Sequence, residues 1–470
     1  MATASANQAR KLAADIVRRL QAANFSAFWV GGCVRDFLLG REPGDYDIAT
    51  SAWPEQIEKL FPHTVAVGRK FGVIIVVEGE QQFQVATFRA EADYRDGRRP
   101  ETVVFADARA DAERRDFTVN GLFFDPIAEK LHDWVGGEAD LRTKVIRTIG
   151  SPEERFAEDH LRLLRAVRFA AQLDFEIEPA TFAALKANAA KIKLISAERI
   201  RDELIKLFAP PTDWSAGLRP GTNQEHQRAG SEIGAPYSPA ARGLELLHDS
   251  GLLESILPEI AATVTCDQSP DFHPEGTVFQ HLCLMLKQLP PEAHPSLSWA
   301  VLLHDVGKPV TAARDPETGS IHFYEHEKIG AKLAEEILER LRFPRRQIEE
   351  IATAVRFHMQ FKDAPEMRKA TLRRMLMRET FPLELELHRL DCAGSHAMFD
   401  IYDFLVDQAA ELANQPEIRP PLLTGEDLIA LGLKPGPALG KLLAEIREKQ
   451  LQDELKTPDE ARAWVKLQIQ

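Results

Sequence analysis

GGCVRDFLLGREPGDYDIAT, residues 31–50, decides how this chain reads. Gly31-Gly32 follows the apolar run Phe28-Trp29-Val30 and precedes a short apolar helix carrying Val34, Phe37, Leu38 and Leu39. A Gly-Gly turn at a helix start lets the backbone approach a phosphate and aims free N–H groups at the anion. Asp45 and Asp47 follow at i and i+2, which on a strand sets both carboxylates on one face. Two hard oxygen ligands beside a phosphate cradle suit Mg²⁺, which takes one or two carboxylates plus substrate phosphates. Either element alone is weak, since Gly-Gly occurs at ordinary βα turns and Asp-x-Asp in acidic loops. Their order and spacing, with Arg35-Asp36 between them, are specific and predict nucleotidyl transfer from a nucleoside triphosphate.

The 470 residues give length for roughly three domains. A hydrophobic fraction of 44% beside a charged fraction of 28% is that of a soluble globular protein. No apolar run approaches the roughly 20 residues that span a bilayer, so no membrane partner is expected. MATASANQARKLAADIVRRL, residues 1–20, reads as an amphipathic helix without the apolar core and cleavage site of a secretory signal. Cys33, Cys266, Cys283 and Cys392 are scattered without a CxxC pair, which fits free thiols and a cytoplasmic location. The formal net charge is −14, yet residues 141–210 carry 13 Lys+Arg against 10 Asp+Glu, leaving −17 for the rest. The basic excess sits next to the candidate site. Acidic balance elsewhere argues against tight non-specific duplex binding, so DNA is not an expected partner.

Residues 25 to about 140 read as α/β. VAVGRKFGVIIVVEGEQQFQVATFR holds two β-branched runs split by a Gly-Glu turn, which predicts paired strands. KLHDWVGGEADLRTKVIRTI predicts a further short strand pair. From residue 152 the period becomes helical: ERFAEDHLRLLRAVRFAAQL repeats apolar residues at three and four. ISAERIRDELIKLF predicts a second helix with Ser196 as N-cap. Residues 209–240, rich in Gly, Pro and polar residues, predict a flexible insertion. Helices resume at 241, and the Pro-rich joint QPEIRPPLLTG leads to a small helical tail.

GGCVRDFLLG with GDYDIAT, then TFRAEADYRDGRRP, RRDFTVNGLFFDP and EDHLRLLRAVRF, resemble in order the bacterial class II tRNA nucleotidyltransferase and poly(A) polymerase family. The resemblance covers residues 28 to about 208. It implies an α+β fold with a polymerase-β-like head, an all-helical body, an HD domain and a small helical tail. The expected divisions are an N-terminal helix (1–24), the head (25–150) and an RNA- and nucleotide-binding helical neck (151–208). The insertion (209–240), a helical body with the HD domain (241–412) and the tail (420–470) follow. The implied activity is template-independent addition of CCA to the tRNA 3′ end from CTP and ATP, with two Mg²⁺ ions.

By this resemblance Asp45 and Asp47 are catalytic and hold the Mg²⁺ ions, and Gly31, Gly32 and Arg35 cradle the triphosphate. Arg114, Arg115, Asp116 and Asn120 of RRDFTVN grip ribose and phosphates. Glu158, Asp159, Arg162, Arg165 and Arg168 bind nucleotide. The i, i+3 and i, i+4 spacing of Asp159, Glu158 and Arg162 predicts one shared helix face. A carboxylate there accepts from the exocyclic amino group of cytosine or adenine while a guanidinium donates to the ring nitrogen beside it. Uracil and guanine present a carbonyl where the carboxylate needs a donor, so they are repelled. Without the resemblance, the same spacing is equally that of an ordinary helix salt bridge. The charged segment Arg89–Pro100 resembles the loop that family members use to switch from C to A addition, which argues against a CC-only enzyme. Two positions depart from the pattern. Gln84 stands where many relatives carry an acid, so any third carboxylate is missing here. Gly121 replaces a usual Ala, a change expected to matter little.

A second constellation follows in FQHLCLML (His281), LSWAVLLHDVGKP (His304, Asp305), HFYEHEKIGAK (His322, His326), VRFH (His358) and LHRLDCAG (Asp391). Its H…HD…H…H…D spread resembles the HD phosphohydrolase superfamily. Imidazoles with carboxylates suit Mn, Fe, Ni, Co or Mg better than structural zinc. The resemblance implies His281, His304, Asp305 and Asp391 as ligands of a first metal, and His326 and His358 for a second metal or for phosphate. Some relatives hydrolyse 2′,3′-cyclic phosphates or phosphate esters, which would suit end repair before addition. In the tail, Gly432 to Gly440 leads into a helix near Ala438 whose N-terminus suits either an RNA phosphate or plain helix packing. The motifs leave open a poly(A) polymerase, an A-adding enzyme, or a phosphohydrolase with a non-polymerising head. A structural RNA chaperone leaves both ligand sets unexplained. Oligomeric state is not legible.

Overall fold

The computed structural model describes residues 2–90, 104–210, 237–269, 273–395, 397–415, 418 and 420–469. Residues 91–100 of the Arg89–Pro100 segment, expected to switch nucleotide addition, and most of the 209–240 insertion lie outside them. Two compact units result: residues 1–261 with 290–292, and residues 262–289 with 293–470.

In the first unit, α1 (Ala2–Ala22) precedes β1 (Ala27–Val30) and α2 (Gly32–Leu38). There follow β2 (Ile48–Thr50), α3 (Pro54–Leu60), β3 (Thr64–Gly68), β4 (Val73–Glu78) and β5 (Gln81–Thr87). The Gly79-Glu80 turn joins β4 to β5 as the sequence predicts. The short pair β6 (Arg89–Ala90) and β7 (Val104–Phe105) flanks the undescribed segment, and α4 (Ala108–Glu113) comes next. β8 (Phe123–Asp125) and β9 (Lys130–His132) complete a seven-stranded sheet of order β3-β4-β5-β2-β1-β8-β9. Only β2 and β5 run parallel in it. Val30, Ala49, Phe88, Ala112 and Phe123 form a buried cluster behind the sheet centre, with Phe28 stacked on Phe88. Burying such side chains contributes roughly 1.5–3 kcal/mol each and holds β1 and β2 where Gly31 and Asp47 leave the sheet.

The stretch KLHDWVGGEADLRTKVIRTI does not fold as one strand pair. Its first strand, β9, pairs with β8, α5 (Gly137–Thr143) intervenes, and β10 (Val145–Ile146) pairs in parallel with β11 (Glu176–Ile177). The helix predicted from residue 152 is also broken. α6 (Pro152–Glu158) ends before Asp159, whose backbone is extended, and α7 (Leu161–Leu173) begins two residues later. The Asp159 carboxylate accepts the backbone N–H of Leu161 at 3.0 Å. Asp competes for backbone donors in this way and so favours caps over helix interiors. α8 (Pro179–Asn188) and α9 (Ala197–Leu207) finish the neck. Ser196 is the N-cap residue of α9, but its side chain makes no capping bond.

The second unit is helical with one exception that its sequence does not announce. Ala312–Arg314 and Ile321–Phe323 form an antiparallel hairpin after the Lys308–Thr311 turn. The tail helices Gly425–Ala430, Pro437–Leu451 and Pro458–Gln468 share their own core of Leu423, Leu428, Ile446, Leu455, Ala461 and Val465. No helix among the described residues is long and apolar enough to cross a membrane.

Gly121 is not the neutral position its small neighbourhood in the family pattern suggests. A Cβ there would lie 2.6 Å from Val135 Cγ2 and 3.1 Å from Ile149 Cδ1. Overpacking of this kind costs about 1–3 kcal/mol. Gly121→Ala is therefore expected to lower stability in a denaturant titration by that amount, and adding Val135→Ala to restore most of it. Equal stability of Gly121→Ala and the parent would refute the packing argument.

Candidate active site and metal centre

Gly31 leaves β1 with φ 74° and ψ −131°, and its carbonyl caps α2 by accepting the N–H of Arg35 at 3.1 Å. A Cβ on Gly31 would lie 2.9 Å from Arg115 Nη1. The position thus requires glycine twice, for its dihedral and for the approach of Arg115. Asp45 and Asp47 precede β2 instead of lying within it, a correction to the strand placement. The backbone nevertheless alternates as a strand does: Tyr46 is buried, Asp45 exposed and Asp47 half-buried. The Asp47 carbonyl accepts the N–H of Val30 at 3.0 Å, which carries the β1–β2 ladder to the carboxylate. Neither carboxylate forms a salt bridge among the described residues. Burial, then the Asp45 charge, pushes Asp47 up to about 6 although Arg115 opposes this. Two unneutralised carboxylates at the mouth of the Gly31 turn fit a divalent cation. Gln84 precedes Val85, the register partner of Ile48, and so stands on the strand beside Asp47 as an exposed amide.

The RRD residues are held by acids that no motif singles out. Asp111, buried on α4, accepts from Arg114 Nη2 at 2.6 Å and from Arg115 Nη2 at 3.0 Å. Its spacing of three and four residues from these arginines is the available signal. Asp116 accepts from Asn120 Nδ2 at 3.1 Å, from its neighbour's N–H at Phe117, and from Arg165 Nη2 at 2.8 Å. Burial works against its charge, but Arg165 and these donors outweigh it and hold Asp116 at about 2. Asn120 Oδ1 in turn accepts from Arg35 Nη1 at 2.8 Å. On the far side Arg165 reaches Glu203 of α9 at 3.4 Å, and Arg168 reaches the same carboxylate at 2.5 Å. Glu203 is 4% exposed, on the apolar stripe of Ile200, Leu204 and Leu207. A charge on that stripe is its signal. The chain Arg35–Asn120–Asp116–Arg165–Glu203–Arg168 ties β-sheet head to helical neck.

Asp159 and Arg162 do not share a helix face, because α6 and α7 are separated at Asp159. Arg162 is buried and reaches back to Glu158 at 2.5 Å and to the carbonyls of Arg155 and Arg114. Asp159 pairs with Arg199 of α9 at 2.7 Å. The break therefore brings two carboxylate–arginine pairs together where one was expected.

The second unit gathers every predicted HD residue except His322, which stacks on Tyr324 on the hairpin. His304 caps the buried helix Leu297–Leu303, and Asp305 follows it, 1% exposed. His304 Nε2 lies 3.1 Å from Asp305 Oδ2, and His326 Nε2 lies 3.4 Å from Asp305 Oδ1. His358 Nε2 lies 3.2 Å from His326 Nε2. Each of these three rings has its Nδ1 against a backbone carbonyl three residues earlier: Val301, Phe323 and Val355. A carbonyl can only accept, so each Nδ1 carries a proton, and each ring when neutral presents its lone pair at Nε2. Two facing lone pairs at His326 and His358, and a buried His304 Nε2 without a hydrogen-bond partner, are what a cation would satisfy. Burial, with the His304 and His326 charges adding to it, pushes His358 down to about 3, which keeps it neutral as a ligand must be. Asp305 stays ionised: burial opposes this, but His304 and Lys308 hold it well below the carboxylate range. Lys308, whose place in the HDVGK run gives no hint of this role, donates to Asp305 and to Gln268, each at 2.7 Å. His281 Nε2 faces Asp391 Oδ1 at 3.1 Å. Burial opposes its charge, but Asp391 and Glu275 push it up to about 9.

Three family models match the chain. Residues 27–147 match the poly A polymerase head domain, and residues 174–218 the probable RNA- and SrmB-binding site of polymerase A. Residues 276–392 match the HD domain. The fold is that of a nucleotidyltransferase head followed by a helical body with an HD domain. The chain thus resembles the tRNA nucleotidyltransferase and poly(A) polymerase family in its head and neck and carries an HD domain. A CCA-adding enzyme of Staphylococcus aureus is 47% identical over 197 residues, 42% of this chain. The match spans only about half, 49%, of that relative's length. The solved CCA-adding enzyme of Bacillus stearothermophilus with CTP is 27% identical at a TM-score of 0.69, covering 97% of this chain and 96% of its own. The Thermotoga maritima CCA-adding enzyme complexed with tRNA shares the fold at 19% identity and a TM-score of 0.55, covering 98% and 95%.

The raised Asp47 value has a stability consequence. Its folded value of about 6 lies above the ordinary carboxylate value, so ionising it costs folding free energy. That cost is absent below about pH 4, grows between about 4 and 6, and is complete above. Asp47→Asn removes it and is expected to stabilise the metal-free protein by about 1–3 kcal/mol near neutral pH. Thermal unfolding should show a higher Tm for Asp47→Asn at neutral pH, shrinking as the pH falls toward 4. An unchanged or lower Tm at neutral pH would contradict this.

Proposed function

We propose that this chain adds CCA to the 3′ end of tRNA, using CTP and ATP without a nucleic-acid template, in the cytoplasm. The observation that carries the reading is the unneutralised pair Asp45 and Asp47 beside a glycine turn backed by Arg115 and Arg35. In this reading Gly31, Gly32 and Arg35 bind the triphosphate, and Arg114, Arg115, Asp116 and Asn120 fix ribose and phosphates. The RNA 3′-oxygen forms a bond to the α-phosphorus, the bond from that phosphorus to the β-phosphate oxygen breaks, and pyrophosphate leaves. Mg²⁺ held by Asp45 and Asp47 would favour the ionised 3′-hydroxyl and neutralise the leaving pyrophosphate.

Asp159 and Arg162 read the base edge by the donor–acceptor pattern common to cytosine and adenine. Arg199 and Glu158 orient them through the ion pairs described above, and Arg165 and Arg168 brace the neck. The HD centre is a second site for a divalent metal, of the Mn, Ni, Co or Fe type, with phosphohydrolase chemistry. The orphaned His304 Nε2 and the facing Nε2 atoms of His326 and His358 favour that second reading. Acceptor-end recognition by shape needs only a local basic groove on an otherwise acidic enzyme.

The test supplies tRNA transcripts ending before CCA, after CC and after CCA with Mg²⁺ and CTP, ATP or both. Two C additions and one A, then a stop, are expected. Asp45→Ala and Asp47→Ala should each abolish incorporation while leaving any phosphatase activity of the HD centre intact. Addition of A alone to CC ends, or unlimited A addition, would replace this reading with an A-adding enzyme or a poly(A) polymerase.

A further inference from the structure

His281 differs from the other three histidines of the HD centre. His304, His326 and His358 are each oriented by a backbone carbonyl three residues earlier. His281 is fully buried and has a carboxylate on both sides: Glu275 Oε1 at 2.7 Å from Nδ1, and Asp391 Oδ1 at 3.1 Å from Nε2. To ligate a metal the ring must be neutral and carry one proton, so only one carboxylate can then accept from it while the other nitrogen presents a lone pair. The rest of the centre settles which. His304 and Asp305 offer ligand atoms within 4.8 Å of one on His281, and Nε2 is the nitrogen that faces Asp391, the last member of the H…HD…H…H…D set, so Nε2 is the nitrogen for the metal.

We propose that Glu275, outside the H…HD…H…H…D pattern, is a positioning residue that accepts the Nδ1–H hydrogen bond of His281, holds the proton on Nδ1 and thereby makes Nε2 the metal ligand. This rests on reading the HD centre as a metal site.

The chain is built to bring Glu275 back over its own helix. His281 lies one turn into the helix Val278–Lys287, where a capping box fixes the first residues: Thr277 N–H donates to Gln280 Oε1 at 2.8 Å, and Gln280 N–H donates to Thr277 Oγ1. Gly276 before it has φ 111°, and a Cβ there would lie 2.3 Å from Gln280 Oε1. That left-handed residue reverses the chain, and Val278 N–H anchors it to the Cys266 carbonyl at 3.0 Å. Glu275 is thus aimed at Nδ1 with a side chain only 6% exposed. Its Oε1 is also 2.9 Å from His273 Nδ1, so His273 in turn orients the carboxylate. A carboxylate behind a ligating histidine fixes the ring and raises its basicity, and losing one typically costs about 10- to 100-fold in metal affinity.

Direct ligation by Glu275 is the competing arrangement, since His273, Glu275 and His281 also lie close enough to hold an ion. Substitution separates the two. Glutamine keeps an acceptor oxygen for Nδ1–H but is a poor metal ligand, whereas alanine keeps neither. The measurement is Mn²⁺ binding by calorimetry to the chelator-stripped full-length chain, with Asp45→Ala and Asp47→Ala in every sample to silence the head. Tm without metal serves as the folding control. Glu275→Ala is expected to weaken Mn²⁺ binding about 10- to 100-fold, and Glu275→Gln to recover most of that loss with unchanged stoichiometry. Unaltered affinity in Glu275→Ala would overturn the proposal. So would Glu275→Gln as weak as Glu275→Ala, which marks a direct ligand, or loss of a whole equivalent of metal with the remaining affinity intact. Should Glu275→Ala fail to fold, parent-like affinity with lost stoichiometry in Glu275→Gln still overturns it. If the parent binds no Mn²⁺ at all, the metal reading fails first and takes this inference with it.

Discussion

Asp116 carries the geometry of the first unit. Its carboxylate is nearly buried, and an ionised buried carboxylate is tolerable only when paired and hydrogen-bonded. Asn120, the Phe117 N–H and Arg165 meet that demand. Each of these partners is itself fixed, Asn120 by Arg35 and Arg165 by Glu203. Arg35 and the neck helix are therefore set by one charge. Removing one member leaves another buried charge unpaired, which costs more than the pair contributes. The network couples α7 and α9 to the Gly31 turn through Asn120 and Arg35.

The chain meets the same physical problem in two opposite ways. In the head network each buried charge has a counter-charge within the protein. At Asp45 and Asp47 the protein sets two carboxylates together with no salt bridge among the described residues, and in the HD centre it leaves the buried His304 Nε2 without a hydrogen bond. Such arrangements disfavour the bare protein and are characteristic of sites that await a ligand. Asp47 pushed up to about 6 and His358 pushed down to about 3 are two signs of it.

Chemistry-bearing residue types are legible in the amino-acid sequence itself. Gly31-Gly32, the two aspartates and the spaced histidines declare themselves because few other roles use them in that order. The strand pairing around Gly79-Glu80 is legible from β-branched runs. The break at Asp159 is not, because apolar periodicity continues through it and only a local side-chain–backbone bond stops the helix. Glu203 is hidden for a different reason: its partner Arg168 lies 35 residues away, and ion pairs across helices leave no period in the sequence. Glu275 is hidden because its meaning depends on a left-handed glycine that turns it toward His281. The tight fit at Gly121 is equally non-local, set by Val135 and Ile149 from later segments.

The central claim is that head and neck form one site that chooses its nucleotide with protein side chains. Its most direct measurement is single-turnover incorporation of each of the four nucleoside triphosphates into a tRNA transcript ending before CCA, by the parent and by Asp159→Ala and Arg162→Ala. The account predicts that the parent strongly prefers CTP and that both variants admit UTP or GTP while still forming the phosphodiester bond. Preserved discrimination in variants that remain active would show that the base is read elsewhere and would contradict it.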